Sequence, residues 1–170
     1  VDVLINALNY RGNSDSFFES FEKYELDLWK KSIDINLNST FIISKLIGKH
    51  MLKFKKGSII NIASDGGLKV LPGATPYCVS KSGLLMMTRG LAREWARYDI
   101  NVNALCPGYI ETEINDFWWE TEGGQKQIST FPRRRLAEQS DLDGAILLLA
   151  GPLGKGITGT TLTVDDGQYI

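Results

Sequence analysis

A chain of 170 residues with 43% hydrophobic and 23% charged side chains is long enough for one domain with a sizeable core. Its formal net charge of −1 gives no electrostatic reason to bind nucleic acid or an anionic membrane. The apolar stretch TFIISKLIGKHML is broken by Lys45, Lys49 and His50, well short of the roughly 18 residues a membrane span needs.

In chain order, VDVLIN (1–6) is a short, near-continuous apolar run of the kind a strand buried in a parallel sheet carries. A helix is expected from about Leu26 to Phe54. Trp29, Ile33, Leu37, Ile43, Ile47 and Met51 make it apolar on several sides, so it is expected to pack on the sheet and on another subunit. SIINIA (58–63) is the next strand. Thr75 as N-cap and Pro76 at the first helical position then open a helix that runs through Met87, Leu91 and Trp95 to about Asp99. INVNALC (100–106), a helix over roughly Ser140 to Ala150, and TLTV (161–164) complete the pattern. Strands alternating with helices predict an α/β fold, a parallel sheet with helices on its faces.

Ser64, Tyr77 and Lys81 form the pattern Ser-x12-Tyr-x3-Lys, and Asn36 lies 28 residues before the serine (64 − 36). A tyrosine hydroxyl, with an unperturbed pKa of about 10, is a poor base near neutral pH. A lysine at i+4 on the same helix face favours the phenolate, which makes Tyr77 a general acid/base. Ser64 is placed to donate to a substrate oxygen where charge develops. Asn6, Ser64 and Pro107 each fall at the carboxyl end of an expected strand, and open α/β sheets bind ligands in the crevice at those ends.

At these residues the chain resembles the classical short-chain dehydrogenase/reductase family, with its Asn-Ser-Tyr-Lys tetrad. GSIINIASDGG (57–67) resembles the strand that ends in the catalytic serine, and PYCVSKSGL (76–84) the YxxxK helix. NVNALCPGYIETEI (101–114) resembles the Pro-Gly turn and its following threonine, and PRRRLAEQSDLDGAILLLA and ITGTTLTVDDGQ the final helix and strand. Four motifs in family order are far more specific than any one of them.

The resemblance implies a Rossmann-like doubly wound parallel sheet with helices on both faces, and an NAD- or NADP-dependent interconversion of a secondary alcohol and a ketone. It casts Asn36, Ser64, Tyr77 and Lys81 as catalytic, with Asn36 holding a water in a proton relay and Lys81 binding the nicotinamide ribose. It casts Asn6, Pro107, Gly108, Ile110 and Thr112, with Tyr77 and Lys81, as cofactor-binding. It also implies a homodimer or homotetramer paired through the helices at 26–54 and 76–98. The TGxxxGxG loop of the family is absent, and VDVLIN resembles its fourth strand. Residues 1–170 are therefore expected to form a single domain that lacks its N-terminal strands and exposes an apolar edge. The usual Asn-Asn-Ala-Gly strand ending reads Asn6, Ala7, Leu8, Asn9. The alternative reading is a catalytically silent relative that acts through oligomerisation.

The remaining features have plainer readings. Phe117, Trp118 and Trp119 either pack a short helix or wall a substrate pocket in a closing segment. Arg133, Arg134 and Arg135 read as a solvated charge run, with an anion clamp as the minority reading. His50 sits late in a helix, where the dipole accounts for it, and Asp165 and Asp166 shape a turn. Cys78 and Cys106 lack metal-type spacing and read as small core thiols, reduced in a cytoplasmic protein; no metal is expected. The expected partner is a small carbonyl or alcohol substrate.

Overall fold

Four parallel strands, β1 (Val3–Asn6), β2 (Gly57–Ile62), β3 (Ile100–Pro107) and β4 (Thr161–Val164), lie side by side in chain order. The structure, a computed structural model, describes residues 1–12, 18–112 and 116–170. Glu113 and Ile114 of the Pro-Gly segment and the side chain of Phe117 lie outside the described residues. Each strand is one of the apolar runs of the sequence, and the register Ile59↔Val102, Ile60↔Asn103, Asn61↔Ala104 aligns their carboxyl ends.

The two-residue period of the strands sorts side chains onto two faces. Ile59, Ile100 and Val102 pack with Met51 and Ala92, and Ala104 and Cys106 pack with Leu84 and Leu85. That face is covered by α2 (Ser39–Phe54) and α3 (Thr75–Trp95), and α1 (Leu26–Ile33) packs against α3. Ile60 and Leu105 point the other way, onto Leu149 of α6 (Asp143–Ala150). Two short helices, α4 (Asp116–Trp119) and α5 (Glu122–Thr130), fill the segment before it. Helices on both faces of a parallel sheet make this a doubly wound, Rossmann-like fold.

The long helix expected over 26–54 is present but interrupted. A single π turn, Asp34–Asn38, joins α1 to α2 and carries Asn36. Such a bulge repositions side chains and is frequent at functional sites. The cap of α3 also differs from expectation: Ala74 is the N-cap and Thr75 is already helical. Ala74 accepts the first helical bond from Cys78 N–H, and Pro76, which has no N–H to offer, sits in the turn where none is needed. Gly48 makes room for the Trp95 ring between α2 and α3, because a Cβ there would enter it.

A buried polar chain ties the helices to the sheet. Asn6 Nδ2 donates to Ser44 Oγ (3.1 Å) and Asn61 Oδ1 (2.8 Å), Asn61 Nδ2 to Thr88 Oγ1 (2.9 Å), and Thr88 Oγ1 to the Leu84 carbonyl (2.8 Å). The outer edge of β1 has no strand beside it among the described residues, and Val3 and Ile5 are exposed there. Asn61→Ala is expected to lower stability by about 1–3 kcal/mol, because two buried groups lose a partner. Asn38→Ala, at an exposed helical site, is expected to change it by less than about 0.5 kcal/mol. Urea unfolding followed by tryptophan fluorescence measures both.

Candidate active site

The carboxyl ends of β1, β2 and β3 open into a cleft of about 410 Å³. Ser64, Tyr77, Lys81, Pro107, Gly108, Ile110 and Thr112 all line it. Asn6 does not: its amide turns inward to Ser44 and Asn61, and the backbone after it, Ala7 to Gly12, forms the cleft wall instead.

Lys81 is only 1% exposed. Its Nζ donates to the carbonyls of Leu8 (3.2 Å) and Ile62 (3.1 Å), just past β1 and at the end of β2. Burial, assisted by repulsion from Arg11, lowers its pKa to about 8. Tyr77 lies one turn earlier, with its ring centroid 5.8 Å from Lys81 Nζ. Burial raises the Tyr77 pKa, and the Arg11 charge and a hydrogen bond with Ser64 pull it back only in part. That direction is opposite to the one the i+4 lysine led us to expect. The reason is burial: the cost of desolvating the phenolate outweighs the charges and hydrogen bond that favour it.

Ser64 caps a turn, accepting from Gly66 N–H (3.1 Å) and donating to Asp65 Oδ1 (3.1 Å). The hydrogen bond between Ser64 and Tyr77 lowers the tyrosine's pKa, so it favours the phenolate. Asp65 is buried and pairs with Lys69 (3.1 Å), whose Nζ also donates to the Gln168 carbonyl (2.7 Å). Asn36 is wholly buried. Its Oδ1 accepts from Tyr10 N–H (2.6 Å), and its Nδ2 donates to the Tyr10 carbonyl (2.9 Å) and Ser80 Oγ (3.0 Å). The tetrad residues thus converge, with Asn36 beneath the loop rather than in the cleft wall.

The Pro-Gly turn is held from three sides. Gly108 N–H donates to the Val164 carbonyl (3.3 Å), Tyr109 N–H to Gln168 Oε1 (2.8 Å), and Tyr109 and Glu111 exchange backbone bonds with Ala137. A Cβ at Gly108 would strike Gln168 and Asp165, which is why glycine occupies the turn. Tyr109 stacks on Phe131 and meets Trp119 edge-on, so Trp119 packs the short helix; Trp118 lies on its outer side, donating to Gln127 (3.1 Å). Arg133 and Arg135 pair with Asp166, and Arg135 also with Asp141. The arginine run therefore fastens the C-terminal turn. Cys106 is a core thiol pushed up to about 11 by burial.

Sequence reasoning missed Arg11, Asp65, Lys69, Tyr109 and Gln168. Asp65 and Tyr109 were within reach, since each adjoins a motif residue. The contacts of Lys69 and Gln168 join segments 99 residues apart and leave no local pattern. Asn9, in place of the usual glycine, is absent from the positive-φ residues, so its side chain imposes no backbone strain.

A cleft at the carboxyl ends of a parallel sheet is where open α/β folds bind their ligands. The sequence profile described as enoyl-(acyl carrier protein) reductase matches residues 1–168. The chain belongs to the short-chain dehydrogenase/reductase family. It is 31% identical to an NAD-dependent glycerol dehydrogenase of Listeria innocua over 170 residues, covering 100% of this chain and 65% of that protein. It is 35% identical over 171 residues to a 3-oxoacyl-[acyl-carrier-protein] reductase of Synechocystis, covering 100% of this chain and 66% of the relative. Its fold matches a gluconate 5-dehydrogenase from Burkholderia cenocepacia, solved with NADP and tartrate, with a TM-score of 0.92 and 30% identity, covering 99% of this chain and 64% of that one. The chain thus spans about two thirds of the length of these relatives.

Gln168→Leu is expected to speed hydrogen exchange at the Tyr109 amide roughly tenfold, the equivalent of about 1.4 kcal/mol for one lost bond. Amides in the middle of β3 are expected to keep their protection, and mass-spectrometric or NMR exchange reads both.

Proposed function

We propose that the protein is an NAD(P)-dependent oxidoreductase that interconverts a secondary alcohol and a ketone, with Tyr77 as general acid/base. The observation that carries this reading is the hydrogen-bonded Ser64–Tyr77 pair in the cleft, backed by a buried Lys81. The cleft also fits the nicotinamide end of a dinucleotide. It lies at the strand ends, and Lys81 gives two of its three N–H donors to carbonyls, leaving one for a ribose hydroxyl. Pro107, Gly108, Ile110 and Thr112 would flank the ring, and the cofactor, when bound, supplies or accepts the hydride. Family relatives described as NAD-dependent and a neighbour solved with NADP support either dinucleotide.

In this mechanism Ser64 turns its proton from Asp65 to the substrate oxygen, and Tyr77 donates to that oxygen during reduction. Oxidation runs the same path in reverse. Asn36 acts by position: its amide is engaged by Tyr10 and Ser80, so it holds the loop that Lys81 also grips. Because burial keeps Tyr77 protonated, it serves as an acid across neutral pH. Lys81 carries its charge below about 8, so ketone reduction is expected to hold up to that pH and fall above it, whereas alcohol oxidation is expected to rise with pH. Tyr77→Phe is expected to abolish turnover and leave the circular dichroism spectrum unchanged. Oxidoreductase activity retained in that variant overturns the mechanism.

The proposal extends to assembly and location. Phe41, Ile42 and Leu46 of α2 and Val79 and Met86 of α3 expose apolar side chains, which supports a homodimer or homotetramer paired through these helices. No helix among the described residues is long and apolar enough to cross a membrane, and the cytoplasm is the proposed location. Leu46→Glu with Met86→Glu is expected to reduce the mass measured by light scattering to that of a smaller species; a wild-type monomer counts against assembly.

A further inference from the structure

Arg11 lies in the loop that leaves the carboxyl end of β1, five residues past Asn6 (11 − 6). Two tetrad members fix this loop. Lys81 Nζ donates to the Leu8 carbonyl (3.2 Å), and the Asn36 amide engages Tyr10 through both its N–H (2.6 Å) and its carbonyl (2.9 Å). The backbone is therefore held at residues 8 and 10, immediately before Arg11. The arginine lines the cleft, and its guanidinium carbon stands 5.8 Å from the centroid of the Tyr77 ring. A cation there acts on both reacting groups, favouring the Tyr77 phenolate and disfavouring the Lys81 ammonium.

The charged residues lining the cleft, among those described, are Arg11, Asp65 and Lys81. Asp65 is answered by Lys69 at 3.1 Å and accepts from Ser64. The remaining field in the cleft is positive, and a low-dielectric wall concentrates it on an incoming ligand.

We infer that Arg11 is a substrate-recognition residue that selects ketones and secondary alcohols bearing a carboxylate a short carbon chain away from the reacting carbon. This rests on the oxidoreductase reading above, which puts the substrate oxygen at Ser64 and Tyr77. A guanidinium is a planar fork matched to a carboxylate, and its five N–H donors let it hold an anion while keeping other contacts. The anchored loop fixes the distance between fork and hydroxyls, so the length of the substrate chain is selected together with its charge.

The test uses the full-length protein and two matched pairs, 3-oxobutanoate and 4-oxopentanoate against their methyl esters. The wild type is expected to reduce at least one acid with kcat/KM roughly ten- to a hundredfold above its ester. Arg11→Gln is expected to collapse that ratio through a higher KM for the acid, and Arg11→Lys to restore part of it. An unchanged ratio in Arg11→Gln, or a wild type that prefers esters, overturns the inference while the oxidoreductase reading stands. Calorimetric titration with 4-oxopentanoate decides the matter apart from turnover. Acid binding that is lost in Arg11→Gln and regained in Arg11→Lys supports the anion site even if no ketone is reduced, in which case the oxidoreductase reading alone falls. Absence of acid binding to the wild type overturns the inference. Circular dichroism of both variants separates lost binding from lost fold.

Discussion

An ammonium group withdrawn from water must find carbonyls, and the two that receive Lys81 belong to the ends of neighbouring strands. For Leu8 and Ile62 to present their carbonyls together, β1 and β2 must end in register, which the pairing Asn6↔Asn61 ensures. The helix carrying Lys81 must cross at one depth, and Gly48 against Trp95 and the Asn6–Asn61–Thr88 chain set that depth. The desolvated lysine is thus a constraint on three elements at once, and its lowered pKa is the trace of that burial.

The same constraint organises the cleft wall. With Leu8 held by Lys81 and Tyr10 by Asn36, residues 7–12 have little freedom, although they belong to no helix or strand. The π turn provides the Asn36 side: an uninterrupted helix over 26–54 would rotate Asn36 away from Tyr10 and Ser80, whereas one wide turn directs its amide at both. On the opposite wall, Gln168 and Lys69 connect the C-terminal turn to Tyr109 and to Asp65, the neighbour of Ser64. Both walls are therefore fixed by polar contacts between segments distant in sequence.

Much of this was legible in the sequence for identifiable reasons. β2 and β3 are buried on both faces, which leaves no room for alternation, and the limits of all four strands agree with the structure to within about two residues. The Ser64, Tyr77 and Lys81 spacing is local enough for a single helix and strand end to realise it. What escaped depended on long-range closure. Nothing near Asn6 in the sequence says whether its amide faces the cleft or Ser44, and the choice is made by Asn61, 55 residues on. Arg133 and Arg134 are exposed, as a solvated run should be; what the local sequence does not show is Asp166, the partner of Arg133 and Arg135 beyond the last strand. The Thr75 cap failed for a smaller reason: a threonine before proline satisfies the cap pattern, yet the backbone begins the helix one residue sooner.

Burial and charge oppose each other at Tyr77, and their balance determines what the site can do before any ligand arrives. Desolvation raises its pKa, and the Asp65 charge adds to that rise. Arg11 and the Ser64 hydrogen bond work against it. Asp65 is held close by Ser64 and Lys69, whereas Arg11 lines the cleft. The two influences are therefore unequal in how a ligand can alter them. A neutral ligand that displaces water deepens the desolvation and leaves both charges in place. An anionic ligand at Arg11 also neutralises that cation, which removes its repulsion of the Lys81 ammonium while weakening its pull on the Tyr77 proton. Both changes favour a protonated Tyr77 beside a charged Lys81, the pairing that the proposed donation to a carbonyl oxygen requires.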